Sequence, residues 1–455
     1  MHKRGTSIDT LTQAIVRYAV ERTRLEPPPL GHPRRPDELR AMVGETVTEP
    51  GIGAAEALRL FADVLAPACI SVDHPRFLSF VPAAPTEASM LFDFVVGVSS
   101  IYAGSWMEGA GAAFAENDAL RWIAELAGLP EGAGGVFVSG GTAGNLSGLV
   151  AARARWREGA GGERDRMRGV VVSSGGAHSS VAAAARTMDV DAVVVPADER
   201  GRMGGAALRA AIEALPAADR ARIFAIVATS GTTNAGVIDD LAGAADVAAA
   251  HGAWFHVDGA YGGAALAAPS VRHRFAGIER ADSFIVDPHK WLFAPFDCCA
   301  LLYRDPLQAR RAHTQHAEYL DVLHGDDEAW NPSDFAYHLS RRARGLPFWF
   351  SLAAHGTAAY RDAVESSLAL AKRAARAIDE ADHVELVLEP ELSVVMFRRI
   401  GWSPDNYQCW SDRALAEEIA FVVPTTWAGE TVLRLCFVNP LTTIGDVHLI
   451  LDSVR

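Results

Sequence analysis

From about residue 130 onward, the hydrophobic positions form short continuous runs, and each run precedes a glycine-rich turn and a helical pattern. Strand, turn and helix are predicted by "GGVFVSGGTAGNLSGLVAARARWRE" and again by "GVVVSSGGAHSSVAAAARTM". The order continues in "RIFAIVATSGTTNAGVIDDLAGAADVAAAHGAWFHVDGAYGG". Apolar strands that alternate with helices are typical of a mostly parallel sheet covered on both faces. The pattern therefore predicts an α/β fold whose ligands gather at the carboxyl ends of the strands.

The two ends of the chain show other patterns. Before about residue 70, helical stretches flank the proline-rich "EPPPLGHPRRP", which is too little for a self-sufficient domain. From about residue 346, a long helical pattern, strands and a terminal helix predict a small α+β domain. We therefore expect an N-terminal helical arm (1–70), a large domain (71–345) and a small C-terminal domain (346–455). The arm packs on its own body or on a second subunit, and the second option predicts a homodimer.

Composition and charge narrow the kind of partner. The 455 residues include 42 Lys and Arg against 56 Asp and Glu, a formal net charge of -14, so no basic face indicates nucleic acid or an anionic membrane surface. No segment approaches the roughly 18 uninterrupted apolar residues of a membrane span. Five cysteines without a C-x-x-C pair indicate neither a disulfide framework nor a zinc site. We expect a soluble cytoplasmic protein that acts on a small molecule.

One lysine lies in an unexpected environment. Lys290 belongs to "VDPHKWLFAPFDCCALLYRD", residues 286–305, and is followed by Trp291, Leu292 and Phe293. Burying a permanent ammonium there would be costly. Either the side chain follows an apolar surface and keeps its amine in water, or partial burial lowers the lysine pKa. A neutral lysine amine can attack an aldehyde and form a Schiff base.

Two further predicted strands end in groups suited to ligands. The turn "VSGGTAGN" puts Gly140, Gly141 and Thr142 at the start of a helix, where unpaired amide protons can bind a phosphate group. A glycine-rich turn by itself is more often a tight connection, and the chain has neither a P-loop nor a G-x-G-x-x-G motif. Asp258 ends the strand of "AWFHVDGAYGG". It either caps a loop or, if buried, faces a cationic group such as a protonated ring nitrogen.

A histidine and two threonines also lie at strand ends. They are His178 in "GAHSSVAAAA" and Thr232 and Thr233 in "ATSGTTNAG", and each alone is more often structural than catalytic. Because strand ends share one edge of the sheet, a phosphate cradle, an acid, a flat ring and an amine come together there. Pyridoxal 5'-phosphate requires this set of groups. The sequence therefore predicts this cofactor, with Lys290 as its anchor.

Long stretches of the chain resemble the pyridoxal-phosphate-dependent group II amino-acid decarboxylases, most strongly the aromatic-L-amino-acid decarboxylase branch. The similar motifs cover most of the chain: "HPRFLSFVP", "SWMEG", "SGGTAGN", "AHSSVAAAA", "ATSGTTNAGVIDDL", "HVDGAYGG", "ADSFIVDPHKWLFAPFDC" and "LSRRARGLPFW". The resemblance implies a fold-type I homodimer with active sites at the subunit interface and an arm that wraps the partner. It also implies the decarboxylation of an L-amino acid to its amine and carbon dioxide.

The resemblance implies a role for each matching residue. Lys290 would form the Schiff base, Asp258 would pair with the pyridinium nitrogen, and His178 would stack on the ring and contact the substrate carboxylate. Ala260 would pack on the other face of the ring. Gly141, Thr142 and His289 would hold the phosphate. Thr233 would lie near the Schiff base.

The chain departs from this family at the residue that delivers a proton. Many members carry a tyrosine on a loop before the "RR" motif, and relatives with another residue there can form aldehydes by oxidative decarboxylation and deamination. Here the stretch reads "HGDDEAWNPSDFAYHLSRRARG", with Asn331, Pro332 and Ser333 where the tyrosine is expected. Tyr337 is the nearest tyrosine and is either catalytic or an ordinary packing residue. The product is therefore an amine or, alternatively, an aldehyde, and the mixed composition of residues 313–340 suggests a mobile loop.

The predicted substrate pocket also departs from the aromatic decarboxylases. In "HPRFLSFVPAAP", where they usually read Tyr, Phe, Pro and Thr, this chain has Phe80, Val81, Pro82 and Ala83. The neighbours expected from "IYAGSWMEG" complete the substrate-binding set, which is Phe80, Val81, Tyr102 and Trp106. An apolar lining penalises charged side chains, because their desolvation is not compensated. We therefore expect a hydrophobic or aromatic amino acid rather than glutamate.

Other functions fit the motifs less well. An aminotransferase or desulfurase shares the lysine and the aspartate, but "DPHKW" and "AHSSVAAAA" favour a decarboxylase. A non-catalytic cofactor-binding protein is disfavoured by the intact set of Lys290, Asp258 and His178. No metal site is predicted, because the histidines near residue 320 follow no ligand pattern: His313, His316 and His324.

Overall fold

The structure is a computed structural model that describes residues 6–158, 163–318, 320 and 329–455. Its strands, numbered along the chain, are β1 (Gly134–Val138), β2 (Val170–Ser174), β3 (Asp191–Val195), β4 (Ile223–Thr229), β5 (Trp254–Asp258), β6 (Ser283–Val286), β7 (Cys299–Tyr303), β8 (Val384–Leu388), β9 (Val394–Arg399), β10 (Thr425–Trp427) and β11 (Glu430–Cys436). The helices are α1 (Thr6–Thr23), α2 (Pro36–Val43), α3 (Ala54–Leu60), α4 (Glu87–Val98), α5 (Trp106–Leu126), α6 (Gly141–Glu158), α7 (Ser179–Thr187), α8 (Gly205–Glu213), α9 (Ala217–Arg220), α10 (Leu241–His251), α11 (Pro288–Trp291), α12 (Pro306–His313), α13 (Leu346–His355), α14 (Thr357–Asp379), α15 (Pro404–Ala416) and α16 (Ile444–Ser453).

The first seven strands form one sheet in the order β1-β7-β6-β5-β4-β2-β3. Strand β7 runs antiparallel to its neighbours β1 and β6, and the other neighbouring pairs are parallel. All residues of β2, β4, β5, β6 and β7 are buried. Such burial is expected for continuous apolar strands that are covered on both faces. The α/β prediction with a mostly parallel sheet is confirmed.

Helices cover both faces of this sheet, because successive residues of a strand point to opposite sides. In β2, Val170 and Val172 pack into a core with residues of α5, α8 and α10. Val171 packs into a second core with residues of α6 and α7. The two cores hold the carboxyl ends of the central strands together at one edge of the sheet.

A second, antiparallel sheet has the order β10-β11-β9-β8 and lies within residues 346–455. Helices α14, α15 and α16 cover it through a core that includes Leu370, Trp410 and Val447. The small α+β unit expected at the C-terminal end is thus present. The three domain boundaries themselves stay predictions.

The N-terminal arm lies along the body. Arg22 of α1 forms an ion pair with Asp73, in which Nη2 lies 2.8 Å from Oδ1. Tyr18 meets Phe61 edge to face, with ring centroids 5.8 Å apart, and no residue of α2 is buried.

In the described part of the chain, no helix has both the length and the apolar character needed to cross a bilayer.

Candidate active site

The ends of several strands meet at a cavity of about 320 Å³, a size typical of small-molecule sites. Strand β1 leads into Gly141, β2 leads into His178, β5 ends at Asp258, and β6 precedes Lys290. These strands run in the same direction within one sheet, so side chains far apart in the chain converge. Every residue predicted to bind the cofactor lines this cavity: Gly141, Thr142, His178, Thr233, Asp258, Ala260, His289 and Lys290.

The amino terminus of α6 forms one wall of the cavity. Amide groups of a first helical turn have no partner within the helix and can donate to an anion. Space at position 141 is tight, because a Cβ there would lie 3.1 Å from the Ala260 Cβ. Nearby, His289 Nδ1 accepts a hydrogen bond from the Cys298 amide at 3.0 Å, so a neutral ring carries its proton on Nε2. Burial lowers the pKa of His289 and thereby favours this neutral ring.

The structure corrects the expected direction of the Lys290 pKa. Burial lowers this pKa, as expected, but Asp287 Oδ2 lies 2.8 Å from Nζ and its charge more than offsets the burial. The net result is a pKa above the usual lysine value. Sequence reasoning missed Asp287, although residues three apart at a helix start share one face. Lys290 therefore lies in the cavity as an ammonium paired with a buried carboxylate.

Asp258 is buried and accepts a hydrogen bond on each oxygen. Its Oδ2 accepts from Asn145 Nδ2 at 2.8 Å, and its Oδ1 accepts from the Ala260 amide at 3.1 Å. Asn145 also donates to Ser180 Oγ at 2.8 Å, and its Oδ1 lies 2.8 Å from His256 Nε2. Both donors to Asp258 are neutral groups, so a cationic group in the cavity would be the charge partner that the sequence predicts.

His178 is fixed by the start of α7. Its Nδ1 accepts a hydrogen bond from the Ser180 amide at 3.2 Å and lies 2.9 Å from Ser180 Oγ. A neutral ring held in this way carries its proton on Nε2. The two threonines of the next strand end differ: Thr233 lines the cavity, whereas Thr232 Oγ1 accepts from the Val237 amide at 3.2 Å and shapes the turn.

Besides Asp287, sequence reasoning missed eight lining residues: Ser139, Asn145, Ser180, Thr229, Gly231, Tyr261, Phe296 and Asp297. Asn145 lies one helical turn after Gly141, on the same face of α6, so the helical spacing could have identified it as a lining residue. Phe296 had no comparable local signal. Its ring centroid lies 4.8 Å from that of His289, and the side chain is 54% exposed.

The residues predicted to bind substrate are not among those that line this cavity in the described chain: Phe80, Val81, Tyr102 and Trp106. Phe80 is 60% exposed, and its ring centroid lies 6.1 Å from that of Phe421. Val81 is partly buried against the core of the large sheet. Their role in binding substrate stays a prediction.

The other two members of that set are fixed by contacts with the chain near residue 335. Tyr102 Oη donates to the Leu339 carbonyl at 3.1 Å. Trp106 begins α5, and its amide donates to Asn331 Oδ1 at 2.9 Å. Both residues therefore contact the stretch that departs from the family and do not line the cavity.

The stretch where the loop tyrosine is expected is largely buried. Pro332 begins a 3₁₀ helix, Pro332–Phe335, all of whose residues are buried. Tyr337 is 53% exposed, its ring meets that of His338 edge to face, and it does not line the cavity. Residues 319 and 321–328 of the predicted mobile loop lie outside the described residues.

In the described part of the chain, no group of three or more His, Cys, Asp or Glu side chains could hold a metal ion. His313 is buried, and its Nε2 lies 3.0 Å from the Ser147 carbonyl. His324 lies outside the described residues.

The groups around the cavity fit pyridoxal phosphate. Lys290 offers an amine for its aldehyde, the start of α6 offers amides for its phosphate, and Asp258 offers a carboxylate for its ring nitrogen. Gly140 leaves space beside the helix start, since a Cβ built there would have no atom closer than 3.8 Å.

Comparison with known proteins agrees with this chemistry. Residues 36–400 match the family model of the pyridoxal-dependent decarboxylase conserved domain. The chain is 30% identical over 433 residues to an aromatic-L-amino-acid decarboxylase of Bacillus atrophaeus, covering 92% of this chain and 88% of the relative. It is 32% identical over 432 residues to an L-2,4-diaminobutyrate decarboxylase of Rhizobium meliloti (strain 1021), covering 91% and 85%.

The fold is shared as well. A crystal structure of Oryza sativa TDC with PLP and tryptamine superposes with a TM-score of 0.91 at 25% sequence identity, covering 100% of this chain and 98% of the other. This agreement confirms the fold-type I architecture that the resemblance implied. Because the match extends over the whole large sheet and the cavity offers the groups that the cofactor needs, the chain belongs to the pyridoxal-dependent decarboxylases and is an amino-acid decarboxylase that uses pyridoxal phosphate.

Proposed function

We propose that the protein decarboxylates an aromatic or other hydrophobic L-amino acid to its amine, with Lys290, Asp258 and His178 as the acting residues. The observation that carries the proposal is the meeting of these three side chains in one cavity beside a helix amino terminus. The relative from Bacillus atrophaeus is an aromatic-L-amino-acid decarboxylase, and the Oryza sativa structure contains tryptamine. Both support an aromatic substrate.

Each residue has a distinct task. Bound pyridoxal phosphate supplies a sink for the electron pair that remains when carbon dioxide leaves. Lys290 would hold the cofactor through its aldehyde and would be released by the substrate amine. Asp258 would keep a proton on the ring nitrogen, and His178 would lie against the ring and present Nε2–H to the substrate carboxylate. Gly141, Thr142 and His289 would hold the phosphate. Ala260 would pack on the other ring face, and Thr233 would lie near the lysine.

A second product is favoured by one observation. Pro332, which has no side-chain proton to give, is buried where the family places its loop tyrosine. If no other group returns a proton to the α-carbon, oxygen can take the electrons and an aldehyde results. The aldehyde-forming reaction on the same fold is therefore the alternative function.

The test is a product survey by mass spectrometry. Protein loaded with pyridoxal phosphate is incubated with each of the twenty amino acids, with and without oxygen. We expect amine and carbon dioxide from phenylalanine, tyrosine or tryptophan, in equal amounts under both conditions. An aldehyde formed only with oxygen, together with ammonia and peroxide, would establish the alternative. Faster turnover of glutamate than of any aromatic amino acid would contradict the substrate class.

We propose that the protein acts as a cytoplasmic homodimer whose partner completes the active site. The support is a set of large apolar side chains exposed on α4 and α5, at 55 to 65%: Phe94, Val98, Met107 and Phe114. Apolar patches of this kind usually mark an interface. Sedimentation is expected to give twice the chain mass, and a monomer mass over a wide concentration range would contradict the proposal.

The cytoplasmic location is supported by free cysteines in the described chain, of which Cys298, Cys299 and Cys436 are buried.

A further inference from the structure

Three carboxylates line the cavity, and of these only Asp258 has a task in the proposed function. The side chain of Asp297 is 42% exposed, whereas that of Asp287 is 2% exposed. Asp287 Oδ2 lies 2.8 Å from Lys290 Nζ and 3.6 Å from His289 Nε2. The Asp287 amide donates to the Ala260 carbonyl at 3.0 Å, which fixes the backbone beside the cavity. A carboxylate this buried needs a charged partner, and Lys290 is in direct contact with it.

The charges around Lys290 single out Asp287. Besides Asp287 and His289 on its own helix, the groups that act on the amine are Asp258 from β5, Cys299 from β7 and Cys436 from β11. Burial raises the pKa of both thiols, so they remain neutral. Burial also raises the pKa of Asp287, but the adjacent ammonium outweighs it and the net pKa lies below the usual value. Asp287 is therefore a carboxylate in contact with the amine.

We propose that Asp287 is a positioning residue that holds a proton on Lys290 Nζ, both before the lysine joins the cofactor and afterwards. The inference rests on the proposed function in one respect, since it takes Lys290 as the lysine that binds pyridoxal phosphate. Joining requires a neutral amine: the Nζ lone pair bonds to the aldehyde carbon, and the aldehyde oxygen leaves as water with the two Nζ protons. The nitrogen can then accept one proton, which the adjacent carboxylate stabilises.

The first experiment is a spectroscopic pH titration of the loaded protein. Asp287→Asn keeps the size and the polarity of the side chain but removes its charge. The visible band of the lysine-bound cofactor is expected to lose its protonated form at a pH lower by about 1–3 units than in the unsubstituted protein. The matched control is Asp246→Asn on α10, which removes an equally short ion pair, with Arg280 at 2.7 Å, and leaves the titration unchanged.

The second experiment follows cofactor uptake by the cofactor-free protein. Because Asp287 raises the pKa of Lys290, the uptake rate in the unsubstituted protein is expected to keep rising beyond about pH 9, in the range where an ordinary lysine loses its proton. In the Asp287→Asn variant, the half-maximal rate should move to lower pH by the same 1–3 units. A profile of the unsubstituted protein that levels off below about pH 9 overturns the proposal even if the variant does not fold.

Peptide mapping separates this inference from the proposed function. The chain has three lysines, Lys3, Lys290 and Lys372, so borohydride reduction followed by mass spectrometry identifies the one that carries the cofactor. Cofactor on Lys3 or Lys372 would refute the proposed role of Lys290. Cofactor on Lys290 with a titration that Asp287→Asn does not shift, or that Asp246→Asn shifts equally, would overturn the role of Asp287 alone.

Discussion

Replacing Lys290 with alanine is expected to abolish the visible band of the bound cofactor and to lower decarboxylation at least roughly 1000-fold, within the range that a positioned acid, base or nucleophile contributes. The reason is that this amine lies in the cavity, paired with Asp287 at 2.8 Å, and is the group that we propose to bond with the cofactor aldehyde. The measurements are an absorption spectrum of the purified protein and the rate of carbon dioxide release.

The control for this variant is Lys372→Ala. Lys372 is exposed on α14, so its removal is expected to change neither the band nor the rate. Since Lys290→Ala leaves Asp287 buried without its partner, the unfolding temperature of the variant is measured alongside. A folded Lys290→Ala protein that keeps the band and the rate would show that another group holds the cofactor.

Replacing Arg341 with methionine is expected to lower the free energy of unfolding by about 3–5 kcal/mol, because it leaves a buried carboxylate unpaired. The Arg341 and Glu116 side chains are 1% and 3% exposed. Arg341 Nη1 donates to Glu116 Oε2 at 2.7 Å, and Nη2 donates to Oε1 at 2.9 Å. The guanidinium also donates to the carbonyls of Ala103 and Phe137, at 2.7 and 3.2 Å. It therefore joins α5, β1 and the chain that leads to α13.

The adjacent residue provides a matched control for the Arg341 experiment. Arg342 pairs with Asp93 at 2.6 Å, but these side chains are 40% and 29% exposed. Arg342→Met is therefore expected to cost no more than about 1 kcal/mol. Both variants are unfolded in urea at one protein concentration, because dimerisation would contribute to stability. Equal losses would contradict the argument, whereas combining Arg341→Met with Glu116→Leu should recover much of the loss.

Local sequence was sufficient for the sheet and for the position of the site. The strands that lead into the cavity are continuous apolar runs, and such runs are typical of strands that are buried on both faces of a sheet. Parallel strands bring their carboxyl ends to one edge, so Gly141, His178, Thr233 and Asp258 could be placed together before any distance was known. Together with Lys290, these groups predicted the cofactor.

Local sequence was not sufficient for electrostatics or for the substrate. The pKa of Lys290 was expected to fall with burial, but its direction depends on whether a carboxylate lies within hydrogen-bond distance, and Asp287 does. Likewise, Phe80 and Trp106 belong to motifs typical of a substrate pocket, yet neither lines the cavity in the described part of the chain. A motif identifies which residues are present, but it does not determine the direction in which their side chains point.

By itself, the sequence determined the fold class, the cofactor and the residues at the strand ends, because each of these follows from short-range pattern and from the strict chemistry of the cofactor. Tertiary structure alone decided that Asn145 links Asp258 with Ser180 and that Asp287 charges Lys290. It also decided that Pro332 is buried. The contact between Asn145 and Asp258 joins a helix and a strand at 2.8 Å, and such a distance arises only when the cores on both faces of the sheet have packed. The contact between Asp287 and Lys290 is local in sequence, but its burial and that of Pro332 depend on the same packing.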